Sequence, residues 1–297
     1  AVVMALSLLP ALLGFIGRRI VGGRIPGLRS GDPESDEGKP RMGLRWARFV
    51  TRRPVAVLTV TVLAMLTLAV PALDLRLGLP DEGTMATDTT QRKAYDLLAD
   101  GFGPGFNGPL TVVVHTVGSA SPQAAVQQVA DTVGTLDGVA AVTPAVFNQA
   151  GDTALLTVVP TTGPGTAETE DLVAAIRSQS AGLESDTGAT TLVTGATAIT
   201  IDFSEKVSDA MLPYLLLVIG LSFLLLLLVF RSILVPIKAT LGFLLTMAAT
   251  FGAVVAVFQW GWLADLVGVD QTGPVMSLLP IFLIGVVFGL AMDYQVF

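Results

Sequence analysis

Residues 211–230 read MLPYLLLVIGLSFLLLLLVF, an uninterrupted apolar stretch without a charge. As an α-helix rising about 1.5 Å per residue it covers about 30 Å, the thickness of bilayer hydrocarbon. Residues 54–73 and 239–260 have the same character, as does 275–297 apart from one acid, and each is long enough to span a bilayer as a helix. Residues 1–16, AVVMALSLLPALLGFI, form a fifth apolar run. No basic region precedes it and no clean small-residue cleavage site follows it, so it reads as the end of a transmembrane helix rather than a signal peptide. The chain opens and closes inside apolar runs, and the expectation is a piece of a larger polytopic α-helical membrane protein.

Hydrophobic residues make up 52% of the 297 and charged residues 14%, against about 25% charged in an ordinary soluble domain. Cysteine is absent, which excludes disulfide scaffolds, thiol nucleophiles and Cys-ligated metal centres. The net charge of −7 argues against a nucleic-acid partner. Its distribution is more informative than its sum. Residues 17–53 hold ten Arg and Lys against four acids, whereas residues 74–210 hold five basic groups against seventeen acids. Basic loops stay cytoplasmic. The basic linker 17–53 and the turn 231–238, with Arg231 and Lys238, are therefore inside. The acidic segment 74–210 and the loop 261–274 are outside.

Within 74–210 the pattern changes to short β-rich runs alternating with helical periods. Asp88 is a candidate N-cap for a helix placing Tyr95, Leu98 and Phe102 on one face. A strand follows over 110–117, and Ser121-Pro122 opens a helix with Val126, Val129, Ala130, Val133 and Leu136 at near-helical spacing. Strands over 138–147 and 153–159, a helix over 167–182 and a short strand over 192–194 complete the order β-α-β-β-α-β, the ferredoxin-like split βαβ arrangement. Ile199, Phe203, Val207 and Met211 then step by four, a helix running directly into the span 211–230. His115 reads as an ordinary strand residue.

The last run contains an acid, Asp293, in FGLAMDYQVF. A carboxylate at membrane depth costs at least about 2.5–3.5 kcal/mol, and such residues face protein or a water-filled path. Gly285 and Gly289 lie eight and four positions earlier, on the same helical face, where small residues admit a partner helix. Tyr294 adds a hydroxyl beside the acid. In the preceding span Ala239, Gly242, Thr246, Ala249, Ala253 and Ala256 form a small-residue stripe suited to close packing. A single intramembrane Asp also leaves an intramembrane aspartyl protease as a remote alternative, although that chemistry needs two carboxylates sharing a proton.

The stretch 230–262, FRSILVPIKATLGFLLTMAATFGAVVAVFQWGW, followed by FGLAMDYQVF over 288–297, closely resembles the MMPL (mycobacterial membrane protein large) family, a branch of the resistance–nodulation–division exporters. SLLPALLGFIGRR (7–19) resembles the end of that family's sixth span, RRPVAVLTVTVLAM (52–65) its seventh, and FGPGFNGPLTVVV (102–114) the start of its second extracytoplasmic porter domain. The resemblance implies twelve spans in two tandem halves, with the spans here being the sixth to the tenth. It also implies a multi-pass protein of the cytoplasmic membrane that is a secondary transporter rather than an enzyme. It would export lipids or other hydrophobic small molecules, driven by the proton gradient with no cofactor or metal. Asp293 and Tyr294 would form a proton relay, flanked by the packing residues Gly285 and Gly289. The partners implied are the hydrophobic substrate, membrane lipids and the missing half of the same transporter. A non-transporting relative, such as a sterol-sensing-like receptor or a secretion-assisting membrane protein, is the alternative reading.

Overall fold

The computed structural model describes residues 42–296; the apolar run 1–16 and most of the basic segment 17–53 lie outside the described residues. Where that segment is described it is helical: α1 spans Met42–Arg52. Met42, Trp46, Phe49 and Val50 recur at helical spacing with no proline between them and Pro54, so the end of the basic linker is helical. The Trp46 and Phe49 rings stack at 5.8 Å. Helix α2 (Pro54–Ala69) begins on a proline, harmless in a first turn. It tightens into a 3₁₀ turn, Val70–Asp74, around Pro71.

Residues beyond the short strand β1 (Leu77–Gly78) form an α+β domain. Its elements are α3 (Thr90–Phe102), β2 (Leu110–His115), α4 (Pro122–Gly134), β3 (Val139–Val142), β4 (Val146–Phe147), β5 (Thr153–Pro160), α5 (Ala167–Thr187) and β6 (Thr190–Thr194). The strands run β3-β5-β2-β6, all antiparallel, with β4 also on β5. Strand β2 alternates strictly: Leu110, Val112 and Val114 are fully buried while the residues between them face outward. They meet Val126, Val129 and Val133 of α4 and Leu172, Val173 and Ile176 of α5 in one core.

Several boundaries shift for local reasons. Thr89, not Asp88, caps α3 by accepting from the Arg92 N–H. Ser121 occupies the N-cap position of α4 without a capping bond, and Pro122 supplies the start signal. The run 138–147 divides into β3 and β4, with a register shift between Val139 and Ala141. Helix α5 continues to Thr187 before closing at Gly188, and β6 starts two residues earlier than expected. Leu98 and Phe102 stay exposed; the Phe102 ring lies against Phe106 at 5.3 Å instead of entering the core.

Helix α6 (Ala196–Phe230) is continuous from the domain through the apolar run 211–230. At 35 residues it is about 52 Å long, well beyond the bilayer core. Arg231, in a left-handed conformation at φ 48°, ends it. The next helix, α7 (Leu234–Val254), starts three residues later with Pro236 in its first turn. The turn expected over 231–238 is thus only 231–233, and Lys238 is helical. A π-helical turn, Val255–Gln259, extends α7. A short α8 (Ala264–Val267) and β7 (Val275–Met276) lead into α9 (Leu279–Val296). Residues 275–278 are therefore not helical: β7 pairs parallel with β1, Leu77 facing Val275 and Gly78 facing Met276. Among the described residues three helical stretches, Pro54–Asp74, Ala196–Phe230 and Leu234–Gln259, are long and apolar enough to cross a membrane.

Candidate functional site

The four positions singled out in the last apolar run all lie on α9. Its packing face is given by Ile284, which is buried with Phe243 and Met247 of α7 and flanked by Tyr214, Leu215 and Val218 of α6. Phe288 meets Phe243 edge-on at 5.4 Å. Position 293 lies nine residues after Ile284, two and a half helical turns, and so falls on the opposite side of the helix. Gly289 shares that side and is exposed, as are Phe282, Val286 and Leu290. The face bearing Gly289 is thus turned away from α6 and α7.

The two glycines behave differently. A Cβ on Gly285 would stand 3.1 Å from the Tyr214 hydroxyl, whereas one on Gly289 would meet nothing within 4 Å among the described residues. Gly285 therefore makes room for α6, and Gly289 leaves an open notch. The small-residue stripe of α7 also divides. Ala239, Ala249 and Ala256 are buried, while Gly242, Thr246 and Ala253 are exposed. The closest approach is at Gly252, where a Cβ would overlap the Leu68 carbonyl oxygen of α2. That position was not in the predicted stripe, because a heptad of small residues marks a face but not the crossing point along it.

Outside the apolar runs, two recesses lie where the domain meets the helix ends. One, of about 360 Å³, is lined by Arg76, Asp81, Tyr95, Glu168, Gln259 and Thr272, among others. Burial pushes the Asp81 carboxyl up despite its bond from the Thr84 N–H, and burial with the nearby Asp81 charge raises Tyr95. The second, about 680 Å³, lies between α5 and α6 and includes Leu75, Glu170, Ile201 and Asp209. Burial raises Glu170, opposed by the Arg76 charge. At its edge Arg177 of α5 grips Asp202 of α6 with two bonds of 2.6 and 2.8 Å.

That fork holds the Asp202 carboxyl below its usual range, its hydrogen bonds from Arg177 being the main cause. A carboxylate so depressed stabilises the fold above its unfolded value, near pH 4, and the contribution disappears as pH falls through the lower folded value. Both side chains are over one-third exposed, so solvent limits the effect to about 1 kcal/mol or less. Asp202→Asn is expected to lower the thermal midpoint slightly at pH 7, by an amount that shrinks as the pH falls below about 4. A gap that stays constant across that range would contradict this account.

Comparison with known proteins adds a consistent set of matches. The model of the MMPL family matches residues 111–297. The chain is 42% identical to membrane protein YdfJ of Bacillus subtilis over its whole length, covering 40% of that protein. It is 30% identical, again over its whole length, to the mycolic acid-containing lipids exporter MmpL11 of Mycolicibacterium smegmatis, covering 31% of it. It is 32% identical over 85% of its length to the heme uptake protein MmpL11 of Mycobacterium tuberculosis, covering 26%. The chain thus spans about a quarter to two-fifths of the length of these relatives.

Proposed function

The chain belongs to the MMPL family, and on that premise we propose that it is the C-terminal-half portion of a resistance–nodulation–division type exporter. The proton gradient drives this exporter to move lipids or other hydrophobic compounds across or out of the cytoplasmic membrane. The observation that carries the reading is α9, an apolar helix that packs on α6 and α7 through Ile284, leaves open space at Gly289 and carries an acid four residues further on in the sequence. In this reading the missing half of the transporter supplies the helix that covers the face, and Gly289 admits it closely. Asp293 takes up and releases the proton, with Tyr294 as its neighbouring hydroxyl.

The spans are the apolar stretches of α2, α6, α7 and α9, with 1–16 the end of another. Residues 17–53 and 231–238 are cytoplasmic; 74–210 and 261–274 are extracytoplasmic. The strand order β3-β5-β2-β6 with helices between β2 and β3 and between β5 and β6 supports reading 74–210 as a ferredoxin-like porter domain. The continuity of α6 from that domain into the apolar run supports a mechanical link between membrane and domain. A lipid and a heme named for two relatives both have large apolar surfaces, which supports a hydrophobic substrate class.

The test uses the full-length protein in vesicles with a fluorescent phospholipid and heme as separate probes, under an imposed pH gradient. Gradient-dependent movement of one probe, abolished by a protonophore, is expected. Movement insensitive to the protonophore, or none at all, would overturn the proton-driven reading.

A further inference from the structure

We propose that the segment 74–78 is a coupling strap between the membrane helices and the extramembrane domain, and that Gln259 is its latch; the inference rests on the transporter reading above. The strap runs from the end of α2 to the domain, and two different elements hold its bonded edge. On one edge β7 supplies backbone bonds, from the Val275 N–H to the Arg76 carbonyl and from the Ser277 N–H to the Gly78 carbonyl, both 2.9 Å. Further back along the same edge, where the N–H and C=O of an extended residue point the same way, a single side chain continues the ladder. The Arg76 N–H donates to Gln259 Oε1 at 3.0 Å, and Gln259 Nε2 donates to the Asp74 carbonyl at 3.0 Å. A primary amide donates and accepts through one planar group, as a peptide unit does.

The surrounding geometry ties α2, α6, α7 and α9 to that strap. Gln259 closes the π-helical turn at the end of α7; π turns recur at functional sites because the extra residue re-aims the helix end. The turn is itself tied outward, the Gly273 N–H donating to the Phe258 carbonyl at 3.1 Å. Met276 of β7 precedes α9 by only two residues. Ser277, just after β7, shares a buried 2.8 Å hydrogen bond with Ser204 of α6. Helix α2 is joined by continuity of the chain. Toward the domain, the Arg76 guanidinium reaches the Gly165 carbonyl just before α5 at 3.4 Å. Motion of α7 or α9 relative to α2 therefore loads the strap, and held by both Gln259 and β7 the strap passes the displacement to the domain.

Two measurements on the full-length protein in membranes test this. In Gln259→Ala and Gln259→Leu, neither of which keeps a donor or an acceptor, hydrogen exchange at the Arg76 amide should quicken about tenfold, the scale of the lost hydrogen bonds. Exchange in the β2 core (110–115) should not change. Equal exchange at Arg76 in variants and wild type would overturn the latch. With the labelled phospholipid and a pH dye inside the vesicles, the variants should admit protons at near the wild-type rate while moving at least tenfold less lipid per proton. A merely destabilised protein would lose both in proportion, and that outcome would also overturn the proposal. A wild type that moves neither protons nor lipid would overturn the transporter reading instead, while the exchange experiment would still decide the latch.

Discussion

Asp293→Asn in the full-length protein is expected to abolish all gradient-dependent transport while leaving the amount of folded protein in the membrane unchanged. The substitution is nearly isosteric and removes the titratable proton without altering the bulk of the side chain. It also removes the insertion cost of a carboxylate in hydrocarbon, about 2.5–3.5 kcal/mol on the most lenient scale, so assembly should be no harder. Two companions separate a relay from a structural role. Asp293→Glu keeps a titrating group one methylene further out and should retain part of the activity. Tyr294→Phe removes only a neighbouring hydroxyl and should reduce transport without eliminating it. Probe movement in the vesicle assay, normalised to folded protein, is the measurement. Wild-type transport by Asp293→Asn would remove the relay reading; loss of folded protein in both the Asn and Glu variants would make the position structural.

Gly252→Val is expected to have the largest effect on stability. The ideal Cβ at this position would overlap the Leu68 carbonyl oxygen, with the Leu68 carbonyl carbon at 2.8 Å and the Ala69 Cα at 2.9 Å. All three are backbone atoms, so no side chain can rotate aside; α2 would have to move off α7. Forced overpacking of this kind costs about 1–3 kcal/mol, and a β-branched residue brings it to the upper end or beyond. Gly242→Ala on the same helix is the control, because a Cβ there meets nothing within 4 Å. Alanine at Gly242 should even stabilise the helix, by about 0.5–1 kcal/mol. Thermal midpoints of the purified full-length variants check the contrast: a clear fall for Gly252→Val against no fall for Gly242→Ala. Equal midpoints would mean the α2–α7 crossing is looser than the geometry shows.

These sites differ in how far they could be read from the residues in order. Asp293 stands out because a charge in an apolar run violates the local pattern, and one residue is enough to show it. Gly289 is legible by spacing from Asp293. Gly252 is not, since it lies among other small residues on α7 and only the path of α2 selects it. Tyr214 was missed as the partner of Gly285 for the same reason. Gln259 left a faint trace, a polar side chain within VFQWGW at the end of an apolar run. Its two bonding partners lie 183 and 185 residues earlier in the chain, beyond any periodicity argument.

What the residues alone determined follows from short-range physics. Apolar runs of bilayer length, the two-residue period of β2 and the near-helical period of α4 each express burial of one local face. The order of elements and the asymmetry between a basic linker and an acidic domain come with them. Tertiary structure decided which faces meet: the strand order, the Gly252 crossing, the side of α9 left open and the amide latch on segment 74–78. Those choices are made by backbone atoms and polar groups that must find partners once water is excluded. Such a partner can lie anywhere along the chain, so it becomes visible only when the chain is folded.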